Sequence, residues 1–156
     1  PHDTLFPYTT LFRSGYKMQY GFTTKIKNNI LNSIFSNNDI FEEKPLYVGL
    51  LIDEGQPDEV PVEISISDIS GYSRAPVTFS DAYNGIIENN SQVLFPTAKS
   101  DWTINNEKIF AIGIFDSAEG DFADSCLVYL PLSEQESILI GETFSLNPNS
   151  IKLQLA

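Results

Sequence analysis

Imidazole is almost missing from this chain, whose one histidine is His2. A Ser–His or Cys–His couple in which a base activates a nucleophile therefore has no base in the body of the sequence. Zinc, copper and iron sites draw on histidine and cysteine, and cysteine is as scarce: Cys126 stands alone. No internal disulfide can form, so nothing points to a disulfide scaffold. Flanked by Ser125 and Leu127 at the head of an apolar run, Cys126 is expected to be a small buried hydrophobe; the other reading, a reactive thiol, has no histidine to activate it. Positive charge is also short, with nine Lys and Arg against 21 Asp and Glu and a formal net charge of −12. Nucleic-acid binding relies on basic groups that displace phosphate counterions, and this balance argues against it. It argues equally against anionic membrane surfaces. No apolar run approaches the ~20 residues that span a bilayer, so membrane insertion is not expected; the longest runs, such as Phe110 to Phe115, are strand-length.

Methionine is single as well, at Met18, and what precedes it is unusual. Thr4 to Ser14 reads TLFPYTTLFRS, which is, codon for codon, the translation of a common sequencing-adapter oligonucleotide. Residues 1–17 are therefore read as a non-native leader and set aside, with Met18 as the expected start and a metagenomic reading frame as the origin. Their apolar residues Leu5, Phe6, Leu11 and Phe12 lack the basic flank and small-residue cleavage site of a signal peptide. Without the leader the chain loses His2, Arg13, Lys17 and Asp3, its net charge becomes −13, and Arg74 is its sole arginine. The remaining length suits one domain with one core.

One helix stands out near Thr23 to Ser36. Phe22, Ile26, Ile30 and Ile34 recur every four residues, and Leu31 and Phe35 widen the stripe onto one helical face. Thr23 or Thr24 can cap its start, and Asn37-Asn38 can stop it. The polar face holds Lys25, Asn28, Asn29 and Ser33. The stripe predicts a helix packed on a sheet, or else one that docks a partner or a sister subunit.

After Pro45 the texture is that of strands. Leu46 to Ile52 reads as a buried strand, and the acidic 53–61 segment, with Gly55, Pro57 and Pro61, as a loop. Val62, Ile64 and Ile66 alternate with polar residues as in a half-buried strand. Tyr72 to Phe79 reads as a strand with Tyr72 and Arg74 on one face. Asn84-Gly85 and Asn89-Asn90 mark turns, and Gln92 to Phe95 is a strand stopped by Pro96. Ile109 to Phe115, apolar on both alternating faces, should be central. Glu119-Gly120-Asp121 turns the chain and Leu127 to Leu132 returns. Phe144, Leu146, Ile151, Leu153 and Leu155 form a last hairpin around Asn147-Pro148-Asn149, where proline presets the turn. Short strands between closely spaced turn signals predict a mainly β fold, an antiparallel β-sandwich of jelly-roll type with one N-terminal α-helix. The expected division is the leader at 1–17, helix and linker at 18–45, and the sandwich at 46–156.

Two carboxylate chemistries survive the shortage of histidine. Glycoside hydrolysis needs only two suitably spaced acids, and Asp53, Glu54, Asp116 and Glu119 lie in loops. Calcium takes hard oxygen ligands, and Asp116, Glu119, Asp121 and Asp124 form one cluster, Asp53, Glu54, Asp58 and Glu59 another. Neither follows the alternating aspartate pattern of a calcium-binding loop, and a solvated acidic surface is the expectation for both. Tyr72, Tyr83, Phe95 and Trp102 fall at strand ends, where rings stack on sugars or proteins or fill the ends of a sandwich; packing is expected for Trp102. Arg74 is expected to pair with a carboxylate, which a buried charge requires. No catalytic, cofactor or metal residue is assigned.

Read in order, Leu46-Tyr47-Val48-Gly49-Leu50, Gly71-Tyr72-Ser73-Arg74, Val93-Leu94-Phe95-Pro96-Thr97-Ala98, Trp102, Ile112-Gly113-Ile114-Phe115-Asp116-Ser117, Gly120, Leu130-Pro131-Leu132, Ile140-Gly141-Glu142 and Ile151-Lys152-Leu153 resemble a family of small tailed-bacteriophage proteins described as tail fibre or virion structural proteins. The resemblance spans about residues 46–156 and departs from the family pattern at Gly120-Asp121, where the family has a glycine pair. It implies a virion component without enzymatic activity or cofactor, on the tail, at a fibre tip or decorating the capsid. Its partners would be copies of itself, other virion proteins and a glycan or protein of the host surface. The competing functions are a carboxylate-based glycan depolymerase and a calcium-dependent lectin-like domain.

Overall fold

The computed structural model describes residues 10–11, 20–36, 44–53 and 60–154. In chain order the elements are β1 (Thr10–Leu11), β2 (Tyr20–Phe22), α1 (Thr24–Phe35), β3 (Leu46–Asp53), β4 (Val62–Glu63), β5 (Ala75–Val77), β6 (Ile86–Glu88), β7 (Val93–Leu94), β8 (Ile109–Phe115), α2 (Phe122–Ser125), β9 (Cys126–Glu136), β10 (Ser145–Leu146) and β11 (Lys152–Gln154). The fold is mainly β and its strand pairs are antiparallel, with α1 near the N-terminus, as expected.

β8 occupies the middle of the main sheet, whose order is β1-β2-β9-β8-β3-β4 with β5 also on β3. All seven of its residues are buried, because an apolar strand with covers on both faces has no side to show to water. β4 and β5 share one edge of β3: Leu51 and Asp53 pair with β4, and Leu46 to Val48 with β5. On one face Val48, Leu50, Ile112, Ile114, Val128 and Leu130 join Val93, Phe95, Phe144, Leu146 and Ile151 in a single core. The facing layer is therefore built from the pairs β7–β10 and β6–β11.

That layer corrects the expected closing hairpin. β10 and β11 do not pair with each other; β10 pairs with β7, and β11 with β6. The two pairings are interrupted at matching places, between Glu88 and Val93 and between Leu146 and Lys152, and the corner is stitched by Asn89, which is fully buried. Its Nδ2 donates to the carbonyls of Ser91 and Asn147, and its Oδ1 accepts from the Ile151 N–H. Its backbone N–H donates to Ile151 and its carbonyl accepts from Asn149. The expected turn at Asn84-Gly85 is present: φ is +53° and +76°, and Tyr83 and Ile86 exchange both backbone hydrogen bonds. Those positive angles are what a two-residue hairpin of right-handed twist demands.

Other expectations need smaller corrections. Of the alternating stretch Val62 to Ser67 only Val62–Glu63 is a strand, and of Tyr72 to Phe79 only Ala75–Val77, with Phe79 in an isolated bridge to Asn89. The short α2 was not foreseen. Phe22 was expected on the helical stripe but lies in β2, opposite Val128. The reason is Thr23, whose N–H donates to the Leu127 carbonyl and whose hydroxyl donates to the Cys126 carbonyl. Those bonds hold the chain extended (φ −71°, ψ 162°) until the helix begins, and they take the hydroxyl away from capping. Helix α1 covers only part of its stripe. Ile26 and Ile30 are half-buried, whereas Leu31, Ile34 and Phe35 stay 54%, 63% and 76% exposed. The proposed stop at Asn37-Asn38, and Gly55, Pro57 and Leu155, lie outside the described residues.

Candidate functional site

The densest polar constellation lies on the sheet face away from the main core, and it starts from two glycines. Gly49 and Gly113 are register partners in β3 and β8. A Cβ on Gly49 would sit 2.5 Å from Glu63 Oε2 and 2.7 Å from Phe115 Cε1, and one on Gly113 2.7 Å from the same ring carbon. The bare backbone is thus the floor on which the Phe115 ring and the Glu63 carboxylate rest. Arg74 closes over them, its Cζ 3.7 Å from the Phe115 ring centroid. Its Nε and Nη2 donate to Glu63 at 3.0 and 2.8 Å, a forked charge-assisted pair. Its remaining donors reach the carbonyls of Ser117 at 3.0 Å and Gly120 at 2.7 Å. The carbonyl of Gly120, at φ +116°, is thus held at the turn that follows β8.

Tyr72 completes the group. Its hydroxyl donates to Glu63 Oε2 at 2.6 Å and accepts from the Leu50 N–H at 2.9 Å. Burial, and then the negative Glu63 beside it, push the Tyr72 phenol well above its ordinary range. Arg74 therefore has its carboxylate partner, as expected. Tyr72 and Arg74 precede β5 rather than sharing a strand face, the Tyr72 ring packing in the main core and Arg74 on Phe115, and the two meet at Glu63. The partner's identity was missed. Two glycines inside strands of large apolar residues were the available signal for a side chain crossing the sheet.

The aromatic candidates divide. Tyr72, Phe95 and Trp102 are buried. Tyr72 stacks with Phe95 at 6.3 Å and meets Trp102 edge-on at 5.3 Å, while Phe95 meets Phe144 at 5.6 Å. The Trp102 indole N–H donates to the Ser70 carbonyl. These rings fill one end of the core, and Tyr83 alone of the four is exposed. Around that end three loops are tied together: Lys99 N–H donates to Ser70, Trp102 and Thr103 to Ile138, and Gly141 to Ala98. They carry exposed Ile69, Ile104, Leu139 and Ile140.

The acidic candidates do not converge. Asp116 pairs with Lys25 at 2.9 Å, and Lys25 also donates to the Asp124 carbonyl. Glu119, Asp121 and Asp124 are exposed, with the Asp121 carbonyl accepting from Ser125 and Asp124 within α2. Asp53 is exposed at the end of β3, whereas Glu54, Asp58 and Glu59 lie outside the described residues. Among the described residues no three His, Cys, Asp or Glu side chains gather as a metal would require. Cys126 is buried, and desolvation drives its thiol far above the ordinary value. A recess of about 280 Å³ opens between the start of α1 and the main sheet, lined among others by Lys25, Lys27, Pro61, Phe122 and Tyr129. No described helix is long and apolar enough to cross a membrane.

What these residues define is a structural β module: its buried polar groups are spent on joining strands and loops, and no buried side-chain nitrogen or oxygen among the described residues lacks a partner. The family model described as podophage GP4 fiber I protein gp80 matches residues 21–154, and the chain belongs to that family. It is accordingly a phage virion protein with a structural, fibre-type role. The match begins within β2, so it takes in α1 as well as the resembling region from residue 46. A search of curated proteins returns no match.

Proposed function

We propose that this chain is a non-enzymatic fibre module that works through contacts with copies of itself, with other virion proteins, and with a glycan or protein of the host surface. The observation that carries this reading is where its exposed apolar side chains fall. Leu31, Ile34 and Phe35 follow one another on α1, and Ile69, Ile104, Leu139 and Ile140 crown the tied loops. Large apolar groups on an acidic surface mark interaction sites when they gather in patches. The polar side chains that chemistry would need are engaged otherwise: Glu63 and Arg74 with each other, Asp116 with Lys25. The high negative charge keeps the free chain soluble and disfavours wrong pairing.

Size-exclusion chromatography with light scattering tests self-assembly, for which a concentration-dependent oligomer is expected. A strict monomer at high concentration removes that part of the reading. Binding of the labelled protein to host cells tests the loops: Ile69→Glu with Ile140→Glu should abolish it, and undiminished binding removes the loops from that role. Cleavage of a host glycan by the intact protein, or a melting temperature that rises with calcium and falls with chelator, would instead establish the depolymerase or the lectin.

A further inference from the structure

Helix α1 is turned the wrong way for a helix that only covers a sheet. No residue of it is fully buried. Ile26 and Ile30 are half-buried, but so are Lys25, Asn29 and Ser33, so the side that meets the domain is polar at three of its five positions. Leu31, Ile34 and Phe35 lie on the other side and are exposed, together with Lys27. A surface helix whose packing ends within its own domain shows the reverse, its apolar stripe inward and its polar residues in water. The orientation is set at the helix start. Thr23 is bonded to the carbonyls of Cys126 and Leu127, and Lys25 to Asp116 and the Asp124 carbonyl.

We propose that this outward side joins two copies of the chain, their α1 helices packing antiparallel about a two-fold axis at Leu31. The proposal rests on the self-assembling fibre reading and assigns it an interface. Charge favours a second copy as the occupant. No Asp or Glu lies between Asp3 and Asp39, so α1 brings no carboxylate of its own against a second chain of net −12. The polarity of the helix is also unanswered within one copy. The N-terminal end of a helix is its positive end and the C-terminal end its negative one, yet α1 has no acidic residue in its first turn and no basic one in its last.

Antiparallel pairing at Leu31 answers both. Lys27 and Phe35 lie one turn before and one turn after Leu31. With Leu31 on the axis, Leu31 meets its own copy, and Lys27 of each chain meets Phe35 and the last carbonyls of the other helix. There the ammonium finds an aromatic face and the negative end of a helix dipole. One patch serves both chains, as an isologous contact requires. A parallel pair would instead set lysine against lysine and the two positive ends together. Three large apolar side chains a copy bury less than the ~1,200 Å² of a stable interface, so a dissociation constant on the order of 100 µM is expected.

Disulfide trapping in the full chain tests this, because the native thiol, Cys126, is buried. Helices packed ~8–10 Å apart bring facing Cα atoms within the ~4.4–6.8 Å that a disulfide spans. Leu31→Cys, oxidised at about 100 µM chain, should give covalent dimer. Phe35→Cys alone should give none, because antiparallel pairing sets the two positions ~12 Å apart along the axis, whereas Lys27→Cys mixed with Phe35→Cys should give the mixed dimer. Light scattering of the unsubstituted chain should show a monomer–dimer equilibrium. Leu31→Glu with Phe35→Glu should weaken it at least about tenfold at an unchanged circular dichroism spectrum, the cysteine variants deciding the matter if that spectrum changes. Self-trapping of Phe35→Cys as strong as that of Leu31→Cys means parallel helices and overturns the proposal. An oligomer indifferent to the glutamate pair overturns this interface and leaves self-assembly standing. A folded monomer without trapping overturns both, and leaves the apolar row to another virion protein or another segment of this chain.

Discussion

Replacing Arg74 by methionine should be among the most damaging single changes available in this chain. The guanidinium side chain is 1% exposed and Glu63 12%. Methionine has a similar reach and keeps contact with the Phe115 ring, so the lost interactions are polar ones. Removal of one partner leaves Glu63 as a carboxylate under cover with only the Tyr72 hydroxyl to answer it, which costs about 3–5 kcal/mol. The carbonyls of Ser117 and Gly120 also lose their donors, but they lie at a surface turn where water can replace them. At the ~2–4 °C per kcal/mol expected for a domain of this size, the melting temperature should fall by about 10–15 °C. Thermal denaturation followed by circular dichroism reads this directly. Glu63→Gln should lose less, because the amide oxygen still accepts from Tyr72, and a double-mutant cycle should give a coupling of about 2 kcal/mol or more. A loss below about 1 kcal/mol for Arg74→Met, the size of an exposed pair, would refute the claim that the junction holds β4, β5 and the loop after β8 together.

Asn89→Ala removes the side chain that stitches the two strand pairs and strands the Ile151 N–H, whereas the Asn147 carbonyl keeps its bonds from Ser150; a loss of about 1–3 kcal/mol is expected by urea denaturation, and an unchanged midpoint would show that the corner needs no stitch. Gly113→Ala drives a methyl group against Phe115 and should cost about 1–3 kcal/mol, whereas Gly85→Ala has open space around it and bears only the strain of its positive φ, about 1 kcal/mol. Tyr72 gives a pH signature: because its folded pKa lies above the unfolded value of 10.0, the unfolded chain releases the proton first, so its contribution is intact below about pH 10 and declines as pH rises toward the folded pKa. Melting temperature against pH should therefore drop more steeply above pH 10 in the wild type than in Tyr72→Phe, and parallel curves would exclude Tyr72 as the cause.

Much of this architecture was legible in the order of residues. Apolar alternation in Leu46 to Ile52, the doubly apolar Ile109 to Phe115 and the Asn84-Gly85 turn are local signals, because a strand's period of two and a turn's positive φ are properties of short segments. The shortage of histidine and the excess of carboxylates argued against histidine-based catalysis and nucleic-acid binding without any geometry. The resemblance to phage virion proteins rested on the same local segments, ordered along the chain.

Tertiary structure decided what depends on partners distant in sequence. Phe22 keeps a helical spacing, yet Thr23's bonds to Cys126 and Leu127, over a hundred residues away, place it in a strand. The closing residues alternate as a hairpin would, but Asn89 diverts them to separate partners, and nothing near Asn147 encodes that. Arg74 was bound to need a carboxylate; that it is Glu63, laid over Gly49 and Gly113, follows from the packing of β3 against β8. Composition and periodicity are sums over near neighbours and so survive in one dimension. The choice of partner for a buried charge, a strand edge or a helix face is made by three-dimensional proximity.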